Sequence, residues 1–202
     1  MTHSPTSDQG ERRWWGAPDV LPVRKNRMVF GCLADTDRPF TASELSALKT
    51  VFKGVDMILH AGPVGHLGVI EQLEDLAPTA AVGAPAEDAT IRSSTYVRQV
   101  LKFGDQSVGL MHGYGKPQGQ KAFLISQFQE DTPEGFGLVP IQALVYGHNR
   151  EDQARPGNGV FFLNPGSFRG RPPEGKRGQG KRTVGMLYLT GRIWEGNISA
   201  FK

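Results

Sequence analysis

The chain has 202 residues, 38% of them hydrophobic, with 26 glycines, 14 prolines and a formal net charge of +3. That length suits one domain with a substantial core, and no apolar run is long enough to serve as a membrane-spanning helix, which argues against a helical membrane protein. The single cysteine, Cys32, cannot form an internal disulfide, and no signal-like apolar segment opens the chain, so a reducing, cytoplasmic setting is expected.

Residues 1–26 are polar and aperiodic, and are expected to form a flexible N-terminal tail, with Trp14-Trp15 packing on the domain's own surface. Residues 27–202 are expected to form a single domain. Met28 to Ala34 has the composition of a buried strand. Thr41-Ala42-Ser43-Glu44 is a capping box, and Leu45, Leu48 and Phe52 continue it at helical spacing. Val55 to His60 predicts a second strand, Leu67, Ile70 and Leu73 a second helix, and Pro78 to Val82 a third strand. Strands and helices alternating in this way imply a parallel sheet with helices packed on it.

The pattern then changes. Tyr96 to Phe103 and Val108 to Met111 flank Gly104-Asp105-Gln106 as a hairpin, and a helix is expected from about Gly119 to Glu130 with Phe123, Leu124 and Phe128 inward. Ala143 to Tyr146, Val160 to Leu163, Val184 to Leu189 and Ile193 to Ile198 complete the predicted strands. The fold class is α/β, a sandwich of mixed sheets flanked by helices.

Six short motifs follow apolar runs, where strands leave a sheet. They are Asp35-Thr36-Asp37, His60-Ala61-Gly62-Pro63, Gly83-Ala84-Pro85-Ala86, His112-Gly113, Gly147-His148-Asn149-Arg150 and Asn164-Pro165-Gly166-Ser167. In order and position the set resembles the calcineurin-like metallophosphoesterase superfamily, and within it the small single-domain phosphodiesterases and the retromer scaffold subunit. The resemblance spans roughly residues 28 to 202. It implies a metallophosphoesterase-like β-sandwich and a site at the strand ends.

Family members hold two divalent ions about 3.5–4 Å apart, joined by a shared carboxylate. Against their pattern, Asp35 matches the first aspartate and Asp37 replaces a histidine, while His112 and His148 match two histidines of the second ion. Pro63 stands where the bridging aspartate belongs, Ala84 and Ala86 where an asparagine and an aspartate belong, and Arg150 where the last histidine belongs. The resemblance therefore implies a degenerate site that has lost dinuclear hydrolysis, with no resident metal expected. The pocket is expected to be lined by Asp35, Asp37, His60, His112, His148, Asn149, Arg150 and Asn164, with the Arg150 guanidinium spanning Asp35 and Asp37 in place of an ion. The alternative is an active phosphodiesterase or phosphatase with one cation (manganese, zinc or iron) on Asp35, Asp37, His112 and His148. His60 is expected to be a hydrogen-bonded core histidine, and the Asn164 turn to be structural.

Between Arg169 and Arg182 six basic residues face one acid, Glu174, among glycines and Pro172-Pro173. A mobile, solvated basic loop is expected. It lacks interleaved aromatics, so nucleic-acid binding ranks last among the functions considered. A binding or scaffold module, with a protein partner or a small phosphorylated ligand, ranks first.

Overall fold

The computed structural model describes residues 19–21, 26–113, 120–128 and 140–202, so Trp14-Trp15 lies outside the described part. Two mixed sheets pack face to face. One has five strands: β2 (Arg27–Leu33), β3 (Met57–His60) and β4 (Thr79–Ala81) run parallel, and β10 (Thr183–Thr190) and β11 (Ile193–Ala200) extend them antiparallel in the order β11-β10-β2-β3-β4. The other has six, in the order β1-β5-β6-β7-β9-β8, from β1 (Asp19–Leu21), β5 (Arg98–Phe103), β6 (Gln106–Met111), β7 (Ala143–Tyr146), β8 (Gln153–Gly157) and β9 (Val160–Asn164). Strands β6, β7 and β9 are parallel to one another. Asp19–Leu21, within the segment expected to be a tail, pairs with β5 at the edge of this sheet.

Side-chain alternation explains the layers. In β2, Met28, Phe30 and Cys32 enter the core between the sheets, where they meet Leu101, Val108, Leu110, Val145 and Leu163. Leu33 turns to the opposite face, where α1 (Ala42–Val51) and α2 (Gly68–Glu74) pack through Leu48, Val69 and Leu73. Gly31 lies flat there because a Cβ would fall 2.8 Å from the Phe52 ring. Helix α4 (Gln120–Ser126), with Phe128 just beyond it, covers the outer face of the six-stranded sheet through Leu124, against Leu144, Tyr146 and Phe162. Helix α3 (Ala89–Ser94) is short and begins where the Asp88 carboxylate accepts the Ile91 N–H at 3.0 Å. At α1 the expected capping box is present: the Glu44 N–H donates to Thr41 Oγ1 at 3.3 Å, and the Thr41 N–H to Glu44 Oε2 at 2.9 Å. No helix among the described residues is long and apolar enough to cross a membrane.

Candidate functional site

The carboxyl ends of both sheets converge on one cleft, the usual place for a site in such sheets. Asp35 follows β2, His60 ends β3, His112 follows β6, His148 follows β7 and Asn164 ends β9. Backbone strain concentrates here. Asp35, Asp37, His148 and Arg150 have φ of 61°, 64°, 73° and 55°, and the other non-glycine residue with positive φ among those described, Asn158, sits in a hairpin turn. Such conformations cost on the order of 1–3 kcal/mol each and persist only where surrounding contacts enforce them. Close backbone approach adds to the constraint. A Cβ on Gly65 would lie 2.1 Å from the Asp37 Cα, and one on Gly147 2.8 Å from the Ala61 carbonyl oxygen.

The histidines are fixed by their partners. His60 is fully buried; its Nδ1 accepts the Gly62 N–H at 3.0 Å and its Nε2 lies 2.9 Å from Thr36 Oγ1. The Thr36 hydroxyl donates to the Val64 carbonyl at 2.8 Å, so Nε2 carries the proton. This is the structural histidine expected from the sequence. His112 places Nδ1 2.9 Å from the Ala61 carbonyl, which makes Nδ1 the donor and leaves Nε2 as an acceptor; its ring meets His148 edge-on at 5.5 Å. Burial, then repulsion from His112, pushes the His60 pKa down to about 3; burial chiefly lowers that of His112 to about 4. Both are neutral near pH 7.

The carboxylates are matched by guanidinium groups rather than left facing each other. Asp35 is 2% exposed. Its Oδ1 accepts from Arg171 Nη1 at 2.9 Å, its Oδ2 accepts from the Ser167 hydroxyl, and Arg150 Nε lies 3.5 Å from the same oxygen. Asp37 receives Arg171 Nη2 at 2.5 Å and Arg169 Nε at 3.0 Å. The expectation for Arg150 is thus corrected. Arg150 reaches Asp35, and its Nη1 turns to the Pro172 carbonyl at 3.5 Å. The side chain that spans both aspartates is Arg171, because its loop folds back over the cleft.

That loop, expected to be mobile, makes several contacts with the cleft and within itself. Its Glu174 N–H donates to the Asn149 carbonyl at 3.0 Å, Gly180 N–H to Gly170 O at 2.9 Å, and Arg182 pairs with Glu44 at 2.9 Å. Lys176, Arg177 and Lys181 remain exposed, as expected of solvated basic residues. Glu174 approaches His148 at 3.5 Å. Asn149 and Asn164 brace the neighbouring turns: Asn164 Nδ2 donates to Asn149 Oδ1 at 2.6 Å, and Asn164 Oδ1 accepts the Gly166 N–H at 2.9 Å. Buried Glu87 ties two further turns together by accepting the N–H groups of Gly65 at 2.6 Å and Ala84 at 2.5 Å, and burial outweighs these bonds to raise its pKa. What remains open is a cavity of 130 Å³ edged by Asp35, Pro63, His112, His148, Arg150 and Glu174. Among the described residues, no three His, Cys, Asp or Glu side chains are arranged to hold an ion.

Sequence reasoning missed Arg169, Arg171, Ser167, Thr36 and the second role of Glu44. One signal was available: Asp35, Asp37 and a loop with six basic residues against one acid, at opposite ends of the chain and both beside the same strand ends.

Two sheets flanked by helices, with histidines and aspartates at their strand ends, are the architecture of phosphoesterase-type sandwiches. Residues 28–191 match the calcineurin-like phosphoesterase superfamily domain, and the chain belongs to that superfamily. A probable metallophosphoesterase of Methanothermobacter thermautotrophicus is 30% identical over 142 residues, covering 69% of this chain and 77% of the relative. Among solved structures, vacuolar protein sorting 29 from Cryptosporidium parvum superposes with a TM-score of 0.62 at 19% identity, covering 87% of this chain and 98% of that one. An archaeal phosphodiesterase superposes with a TM-score of 0.60 at 19% identity, covering 85% of this chain and all of that one. At those identities the structures establish the shared fold.

Proposed function

We propose that this chain has given up dinuclear metal-dependent hydrolysis and acts as a binding or scaffold module for a protein partner or a small phosphorylated ligand, in the cytoplasm. The observation that carries the reading is the donor set. Positions 63, 84 and 150, where the family pattern has a bridging aspartate, an asparagine and a histidine as metal ligands, are proline, alanine and arginine, so three ligand places offer no oxygen, sulfur or imidazole donor in their side chains. Tightly held ions take three or four protein ligands. Here the two aspartates that remain are engaged by Arg171. The residues present do not fit a two-metal centre.

The test is turnover of bis(p-nitrophenyl) phosphate by the purified chain, with and without manganese. The expected rate equals that of buffer under both conditions. Manganese-dependent turnover that disappears in His148→Ala establishes instead the alternative, a rebuilt site with one ion.

A further inference from the structure

We infer that the outer edge of β11 is a homodimer interface, in which two copies of the chain pair β11 with β11 antiparallel about a twofold axis at Asn197 and join their five-stranded sheets into one. The inference goes beyond the proposed function and holds whether or not the cleft hydrolyses anything.

A sheet edge carries a row of unpaired N–H and C=O groups, and proteins blunt such edges with short strands, proline, basic side chains or bulges. Three of the four edges here are blunted. Strands β1 and β4 have three residues each, and β8 carries Arg155 and Pro156, whose ring leaves no N–H to donate. Strand β11 has none of these devices. It is eight residues long, contains no proline, lysine or arginine, and keeps unbroken register with β10 from Ile193 to Ala200. Strand β8 lies beside it at this end of the sandwich but pairs with β9, and among the described residues no strand pairs with the outer edge of β11.

The hairpin register identifies the groups on offer. The Gly191 N–H donates to the Asn26 carbonyl on the β2 side at 3.2 Å, so alternation along β10 turns Thr190, Tyr188, Met186 and Val184 towards β11. Their partners Ile193, Glu195, Asn197 and Ser199 are bonded inward, and Trp194, Gly196, Ile198 and Ala200 point their N–H and C=O groups outward. Matching Trp194 with Ala200 of the partner subunit, and Gly196 with Ile198 of the partner subunit, engages all four residues in both copies, for about eight hydrogen bonds. The same register suits the side chains. Glu195, the charged residue of the strand, meets Ser199 of the partner subunit, a hydroxyl donor, and Asn197 meets Asn197 of the partner subunit, where each amide offers a donor and an acceptor. No like charges stand opposite each other along the strand, and Arg192 at the turn is matched within its own chain by Asp105. Glu195, Asn197 and Ser199 are exposed in the single copy. This self-complementarity makes the occupant a second copy of the chain rather than a strand of another protein.

The experiment is sedimentation equilibrium of the full chain and of Asn197→Lys, with disulfide trapping of Asn197→Cys. The mass of the unsubstituted chain is expected to rise from 22.0 kDa towards twice that value between about 1 and 300 μM, the reach of a small interface. Lysine at 197 sets two ammonium groups opposite each other on the twofold axis and is expected to weaken association at least about fivefold. Cysteine at 197 is expected to cross-link readily under mild oxidation, because residues facing each other in a non-hydrogen-bonded pair lie about 4.5 Å apart at Cα, within disulfide range. Glu195→Cys is expected not to cross-link, since the two residues 195 are offset by about 13 Å along the strands. Native Cys32 is fully buried and does not compete. A monomer throughout overturns the inference, as does a dimer that Asn197→Lys leaves intact or that Glu195→Cys traps as readily as Asn197→Cys. None of these readouts involves the cleft, so failure here is distinguishable from failure of the proposed function.

Discussion

Replacing Arg169 by alanine is expected to destabilise the fold by about 3–5 kcal/mol, the range for breaking a buried ion pair by removing one partner. Arg169 and Glu44 side chains are 9% and 10% exposed and meet at 2.7 Å. The same guanidinium also donates to Asp37, to the Thr36 carbonyl and, at 2.6 Å, to the Arg38 carbonyl, and it lies 5.1 Å from the centre of the Phe168 ring. Alanine takes from Glu44 the nearest of its three guanidinium partners, leaving Arg182 at 2.9 Å and Arg38 at 3.3 Å, and the Glu44 pKa shows what these partners do. Burial alone would raise it, but the Thr41 N–H, Arg169 and Arg38 outweigh burial and hold the carboxyl at about 2. For a chain of this size the loss corresponds to a fall in melting temperature of about 6–20 °C, measurable by calorimetry. Lysine at 169 should recover only a small part, since one ammonium cannot reach four partners in a plane.

Acid should unfold the protein with a two-proton dependence. His60 and His112 have folded pKa values near 3 and 4, below the ordinary value of 6.5. The unfolded chain therefore binds more protons than the folded one as pH falls below that value, so the stability is fully present above it and is lost on acidification. Two protons at about 1.36 kcal/mol each give about 2.7 kcal/mol per pH unit between roughly pH 6 and pH 4. Glu44, whose pKa is depressed, adds its own loss lower down, between its ordinary value of 4.5 and about 2. Urea denaturation across pH reads the slope. His60→Gln should roughly halve it, and an unchanged slope would show that His60 is not the buried neutral group described.

What the sequence conveyed depended on whether a signal is local. Strands such as β2, β7 and β10 are apolar runs bounded by turns, and their burial needs no knowledge of a partner, so they could be placed in advance. Strand β8 contains Arg155 and Pro156 and has no apolar run; it is an edge strand, held by pairing with β9, where proline is tolerated. Helix α3 is six residues long with threonine and two serines, and only the Asp88 cap marks it. The cleft divides in the same way. Asp35, His60, His112, His148 and Asn164 each adjoin a strand end, so topology alone gathers them. Arg171 is 136 residues from Asp35 in sequence, and loop composition does not reveal whether a basic segment is solvated or folded back over a pair of carboxylates. Assigning the counter-charge to Arg150 therefore identified the right need and, for Asp37, the wrong side chain.

The most direct test of the central claim is a crystal structure of the full chain grown with manganese and phosphate. The account predicts the Arg171 guanidinium in place on Asp35 and Asp37, with no metal density between those aspartates and His112 and His148. Two well-occupied ions about 3.5–4 Å apart, with Arg171 displaced from the cleft, would contradict it.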